Sequence, residues 1–242
     1  MGNKKCGGLT LEEYNHSRSR NSVVKIDVNE QNMIEGNLIL PNSGTSMKGI
    51  VIFAHGSGSS RHSPRSKYVS QVLNNVGIAT LVVDLLTPKE ETVDNLTREH
   101  RFNIALLAQR LISCTDWILQ DPELKNLKIG YFGASTGAAA ALVAAAARPN
   151  VIDVIVSRGG RPDLAGKEVL DQIEAPTLLI VGENDKTVIE LNQNALNLLT
   201  RIEKKKKLIL IPNATHLFEE EGALEEVARR ASGWFECFFL EK

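Results

Sequence analysis

The sequence predicts an α/β fold: one mostly parallel sheet of about eight strands, with helices on both faces. Two observations carry this. From Gly49 onward, short apolar runs alternate with helix-length segments, as buried parallel strands and their crossovers do. In addition, the apolar run Lys128-Ile129-Gly130-Tyr131-Phe132 leads straight into Gly133-Ala134-Ser135-Thr136-Gly137. An alanine-rich stretch follows and is stopped by Pro149-Asn150, so strand, sharp turn and helix are written in direct succession.

Residues 1–22 are polar and aperiodic and read as a flexible leader, leaving 23–242 as a single domain. Residues 23–28 and 33–40 form two strands around Asn29-Glu30-Gln31, and the alternation of Val24, Ile26 and Val28 suggests a hairpin with one face partly solvated. The first parallel strand is 50–54 and the next is 79–83, with a helix over 64–76 that tolerates Pro64 in its first turn. A charged excursion over 85–96 precedes a long amphipathic helix over 97–119, with Phe102, Leu106, Ile112 and Trp117 on its apolar positions. After the Ser135 turn, strands follow at 151–156, 177–181 and 208–211, with helices over 188–199 and 222–239. The last helix opens with acids and carries Arg229 and Arg230 further along, as the helix dipole favours.

Composition excludes several roles. A net charge of −1 offers no basic field for nucleic acid. The block Lys204 to Lys207 leads into the apolar Leu208-Ile209-Leu210-Ile211 and reads as a solvated strand entrance. Cys6, Cys114 and Cys237 are scattered, without the spacing of a disulfide framework or zinc site, and no stretch is long and apolar enough for a membrane span. These features predict a cytoplasmic protein with no metal and no nucleic-acid partner. Gly2 fits an N-myristoylation signal, but Cys6 stands where Ser or Thr is favoured, so an ordinary start is the expectation.

In open α/β sheets the ligand site lies beyond the carboxyl ends of the strands. Four stretches follow strands there: His55-Gly56-Ser57-Gly58, Ser135, Gly182-Glu183-Asn184-Asp185, and Asn213-Ala214-Thr215-His216. A serine hydroxyl needs a neighbouring base, usually a histidine oriented by a carboxylate. Among the five histidines, His216 alone follows the last strand. Asp185 is the candidate acid, its short side chain suiting a buried orienting role, with Glu183 and Asp163 as rivals. The backbone N–H groups of Thr136 and Ser57 are the candidate oxyanion donors. A glycine-rich turn of this kind also suits phosphate, but neither G-K-[ST] nor G-x-G-x-x-G is present.

Taken together, G-x-S-x-G at 133–137, the His55 loop, the Asp185 loop and the late His216 resemble the α/β-hydrolase superfamily. The stretches HGSGSSRHSPR (55–65) and SRGGRPDL (157–164) resemble its dienelactone hydrolase-like branch, and the likeness covers 23–239. Dienelactone hydrolases proper carry a cysteine nucleophile where this chain has Ser135, so the lactone substrate does not carry over. The 85–96 excursion is too short for a large cap domain. The resemblance implies an α/β-hydrolase fold and a serine carboxylesterase acting through an acyl-enzyme, with no cofactor. Small acyl or lactone-like esters are the expected substrates. Two alternatives stay open: a hydrolase-fold small-molecule binding protein with little turnover, and a peptidase or acyltransferase using the same triad. Arg158 and Arg161 follow the strand next to Ser135 and are candidates to hold a substrate carboxylate or phosphate. An ion pair with Asp163 is the competing role. His62, Arg61 and Arg65 raise the same possibility, more weakly, from the opposite loop.

Overall fold

The computed structural model describes residues 21–30, 32–42 and 46–241. Eight strands form one sheet in the order β1-β2-β4-β3-β5-β6-β7-β8. They are β1 (Asn21–Asn29), β2 (Asn32–Ile39), β3 (Gly49–Ala54), β4 (Ile78–Val83), β5 (Ile129–Ala134), β6 (Ile152–Arg158), β7 (Thr177–Gly182) and β8 (Lys206–Ile211). The β1–β2 and β2–β4 pairs are antiparallel and all later pairs are parallel. β1 includes the last two residues of the predicted leader, because Asn21 and Ser22 pair with Ile39 and Leu38. The rest of the leader, with the Gly2 signal, lies outside the described residues.

Side-chain alternation divides the core between the two faces of the sheet. Ile50, Ile52, Leu81 and Tyr131 pack on one face under α3 (Ile104–Gln120) and α4 (Thr136–Ala147), and α5 (Lys186–Leu198) adds Ala195 to that core. Val51, Phe53, Phe132, Val154 and Val156 pack on the other, under α1 (Pro64–Asn75) and α6 (Ala223–Leu240). Every residue of β3, β4, β5 and β7 is buried, which explains why they read as continuous apolar runs. The alanines of α4 are nearly all buried, and their small size lets this helix lie close on the sheet. Truncating Leu81 or Ile52 would remove about 2–5 kcal/mol, as core truncations to Ala do.

The chain passes from β3 to β4 on one side and returns to place β5 on the other. That reversal opens a crevice beyond the carboxyl ends of β3 and β5, where the His55 loop and Ser135 lie.

One part of the sequence reading is corrected. The 85–96 excursion contains a helix, α2 (Pro88–Thr97), and the long helix begins at Ile104 instead of residue 97. Local signals explain both boundaries. Thr87 and Glu90 form a reciprocal capping box and Pro88 stands in the first turn, whereas Arg98 in a left-handed conformation (φ 60°) ends α2. Asn103 then caps α3 through its side chain. Phe102 consequently lies outside the helix and is 56% exposed. Among the described residues no helix is long and apolar enough to cross a membrane.

Candidate active site

Ser135 occupies the turn between β5 and α4 at φ 50° and ψ −120°, a conformation that costs about 1–3 kcal/mol for a residue with a side chain. The surrounding backbone holds it there. Its N–H donates to the Arg158 carbonyl (3.2 Å), and its own carbonyl accepts from Ala138 and Arg161 N–H (both 3.1 Å). A side chain at position 137 would lie 2.3 Å from the Ala54 carbonyl oxygen, so Gly137 alone permits α4 to start against the end of β3. Gly56 likewise lies against Ser135: a Cβ there would be 3.0 Å from the Ser135 Cβ. The first N–H groups of α4, including that of the candidate oxyanion donor Thr136, have no acceptor within a preceding turn of the helix.

Asp185 and His216, the candidate acid and base, meet because two loops dock. Glu183 and Asn184 N–H donate to the Ile211 and Ala214 carbonyls (2.9 Å each), and the Asn184 side chain donates to the Asn213 carbonyl (2.8 Å). On the other side, Thr215 donates through its N–H and hydroxyl to Glu220 (3.0 and 2.5 Å), tying down the loop that carries His216. This docking places Asp185 Oδ2 2.6 Å from His216 Nδ1. With Nδ1 as donor, His216 Nε2 is left as the acceptor. The rival acids bond elsewhere: Glu183 accepts from Asn213 N–H (3.0 Å), and Asp163 holds Arg161 by two bonds of 2.8 and 2.7 Å.

Ser135 and His216 line one small cavity of about 210 Å³ together with Ser57, Arg65, Arg158 and Leu217. A larger hollow of about 360 Å³ adjoins it across the His55 loop and is lined by His62, Asp94, Arg101 and Thr136 among others. No hydrogen bond joins the Ser135 hydroxyl to His216 in this arrangement of the described residues. Free enzymes commonly hold such pairs apart until substrate binds.

The arginines and histidines raised by the sequence fall into different places. Arg158 lines the small cavity and His62 the larger one. Arg161 is turned onto Asp163 and lines neither. Arg61 is held by Asp84 and Glu35, through short contacts to both carboxylates.

His55 was legible only as part of the first loop, yet its ring braces that loop. Nδ1 donates to the Gly56 carbonyl (2.9 Å), and Nε2 accepts from Leu85 N–H (3.1 Å). Burial, only partly offset by the Gly56 carbonyl and nearby Asp84 and Glu91, holds its pKa below the ordinary histidine value, so the ring is neutral. The available signal was its position directly after an apolar strand and before Gly56.

Known proteins carry the same frame. Residues 34–239 match the dienelactone hydrolase family. A dienelactone hydrolase from Anabaena variabilis is 53% identical in its solved structure, with a TM-score of 0.84 over 90% of this chain and 97% of that one. A Mycobacterium tuberculosis protein named "Putative phosphoribosyl transferase" is 54% identical over 84% of this chain. The match spans only 43% of that relative's length. The fold is also that of XC6422 from Xanthomonas campestris, described as an α/β serine hydrolase without lid, at 16% identity and a TM-score of 0.73 over 93% and 98% of the two chains. The chain belongs to the dienelactone hydrolase family of the α/β-hydrolase superfamily.

Proposed function

We propose that this hydrolase cleaves carboxylic esters through an acyl-enzyme on Ser135, with His216 as the base and Asp185 as its orienting acid. The observation that supports this most strongly is the 2.6 Å contact between Asp185 and His216 Nδ1, beside a cavity that His216 shares with a serine at a helix N-terminus. Asp185 selects the tautomer in which Nε2 can accept a proton, and it stabilises the imidazolium that forms.

The steps use the chain's own groups and water. Ser135 Oγ attacks the ester carbonyl carbon while His216 Nε2 takes the hydroxyl proton. The carbonyl oxygen becomes an oxyanion directed at the Ser57 and Thr136 N–H groups, each contributing on the order of 10²–10³ in rate. The C–O bond to the alcohol then breaks, and His216 returns the proton to the leaving oxygen. A water deprotonated by His216 attacks the acyl-enzyme, and collapse of the second tetrahedral intermediate releases the acid and restores the Ser135 hydroxyl. The strained Ser135 backbone presents Oγ at the crevice before substrate arrives, so this part of the alignment precedes binding.

Pre-steady-state hydrolysis of 4-nitrophenyl acetate tests the reading. A burst stoichiometric with enzyme, lost in S135A, is expected. Turnover that persists at the parent rate in S135A would refute it, and absence of both burst and turnover on short-chain esters would favour a binding protein.

A further inference from the structure

Arg158 is a half-buried cation whose inner nitrogens are shielded and which has no counter-ion among the described residues. As the last residue of β6 it points to the same face as Val154 and Val156, where it lines the small cavity with its guanidinium over Phe218. Its Nε and Nη1 are shielded and have no hydrogen-bond partner, and no carboxylate among the described residues pairs with it. Other arginines differ: Arg61, Arg101, Arg110 and Arg161 each hold an acid. The Arg158 guanidinium carbon lies 5.6 Å from the centre of the Phe218 ring. A cation–π contact of about 0.5–2 kcal/mol does not offset the several kcal/mol of desolvating a charge.

A second cation stands close by. Arg65, in the first turn of α1, lines the same cavity; its Nε is also buried without a partner, and among the described residues its one acid is Glu219, which is 66% exposed. Burial first, and then repulsion from Arg65, pushes the Arg158 pKa down to about 10, which still leaves it charged at neutral pH. The cavity adds the hydroxyls of Ser57, Ser63 and Ser66, and no Asp or Glu lines it. Ser63 caps α1, so the positive end of that helix also borders the space.

We propose that Arg158 and Arg65 form an oxyanion-binding subsite beside Ser135, and that the natural ester carries a phosphate or carboxylate group seated there. The assignment of substrate class rests on the reading of Ser135 as nucleophile; the anion site itself does not. Two guanidinium groups and a helix terminus supply more positive charge than one carboxylate neutralises, so phosphate is the tighter ligand of the two.

Three measurements decide it. The S135A protein is titrated calorimetrically with inorganic phosphate and with glutarate, and the titrations are repeated on S135A/R158Q. Hydrolysis of 4-nitrophenyl hydrogen glutarate is compared with that of the neutral 4-nitrophenyl pentanoate in the parent, R158Q and R158K. Thermal unfolding is followed in the same proteins. Saturable binding of phosphate or glutarate is expected, weakened at least about tenfold by R158Q. The glutarate-to-pentanoate ratio of kcat/KM should fall by at least about tenfold in R158Q and recover partly in R158K. R158Q should melt no lower than the parent, since an unpaired buried charge is removed, whereas a structural arginine would lower the midpoint. The stronger of the two anions names the group that the substrate carries.

The subsite is overturned if neither anion binds S135A, or if the ester ratio moves less than about threefold in R158Q. Should R158Q fail to fold, R65Q and the S135A titrations decide by the same criteria. The two readings fail separately. Anion binding without ester turnover keeps the subsite and removes the esterase; turnover with an unchanged ratio and no anion binding does the reverse.

Discussion

The two hollows beside Ser135 treat charge in opposite ways. In the larger one, Asp94 is buried at 4% side-chain exposure and fully engaged: it accepts from His100 and Arg101 N–H (2.9 and 2.8 Å) and from Arg101 Nε (2.6 Å). Burial alone would raise its pKa, but the Arg101 and His100 donors together hold it below the usual carboxylate range. In the smaller one, Arg158 has neither carboxylate nor hydrogen bond on its inner nitrogens. A satisfied network closes the turn between α2 and α3 and fixes one wall. An unsatisfied cation next to Ser135 leaves its electrostatics open to completion by something that enters. On the proposed reading the first arrangement serves the fold and the second the ligand.

Mutations that separate activity from stability test this contrast. The largest effect belongs to the small cavity: S135A and H216A should each lower kcat on a neutral aryl ester by roughly three to six orders of magnitude. Their thermal midpoints should move little, which differential scanning calorimetry checks. D185N should lower kcat by about 10⁴ through the wrong tautomer of His216. D94A reverses the pattern, destabilising by about 2–4 kcal/mol in denaturant titration because Arg101 and two N–H groups lose their acceptor. Its effect on kcat should be far smaller than that of D185N. If D94A removed activity without lowering stability, the division of labour between the two hollows would be wrong.

A smaller effect concerns pH. The unfolded chain protonates His55 near its ordinary value of 6.5, whereas the folded chain keeps the ring neutral to lower pH. The unfolded state therefore binds more protons below 6.5, so stability is fully present above that value and declines as pH falls toward the folded pKa. Asp94 acts with the same sign further down, through and below the usual carboxylate range. Unfolding midpoints measured from about pH 7 to about pH 5 should fall in the parent, and more gently in H55Q, which lacks the titrating ring. An equal slope in both proteins would remove His55 from the account.

Much of this architecture was legible because backbone rules act locally. Fully buried strands such as β3 and β7 appear as unbroken apolar runs, and Gly133 to Gly137 marks a turn that only small neighbours permit. α2 was not legible: it buries Asp94 instead of an apolar stripe, so its sequence looked like a charged loop despite Thr87 and Pro88 at its start. The same limit applies inside SRGGRPD, where Arg158 and Arg161 look equivalent. Strand alternation sends the first into the interior, and the second folds onto Asp163 two residues away. Spacing also could not rank Asp185, Glu183 and Asp163, because the choice depends on how the β7 loop docks against the loop after β8.

The central claim is that Ser135 Oγ becomes covalently acylated. Intact-mass and peptide mass spectrometry after rapid acid quench with 4-nitrophenyl butyrate tests it directly. One acyl adduct per chain is expected, on the peptide that carries Ser135, accumulating in the parent and absent from S135A. Turnover without any adduct at Ser135, or an adduct on another serine such as Ser57 that persists in S135A, would contradict it.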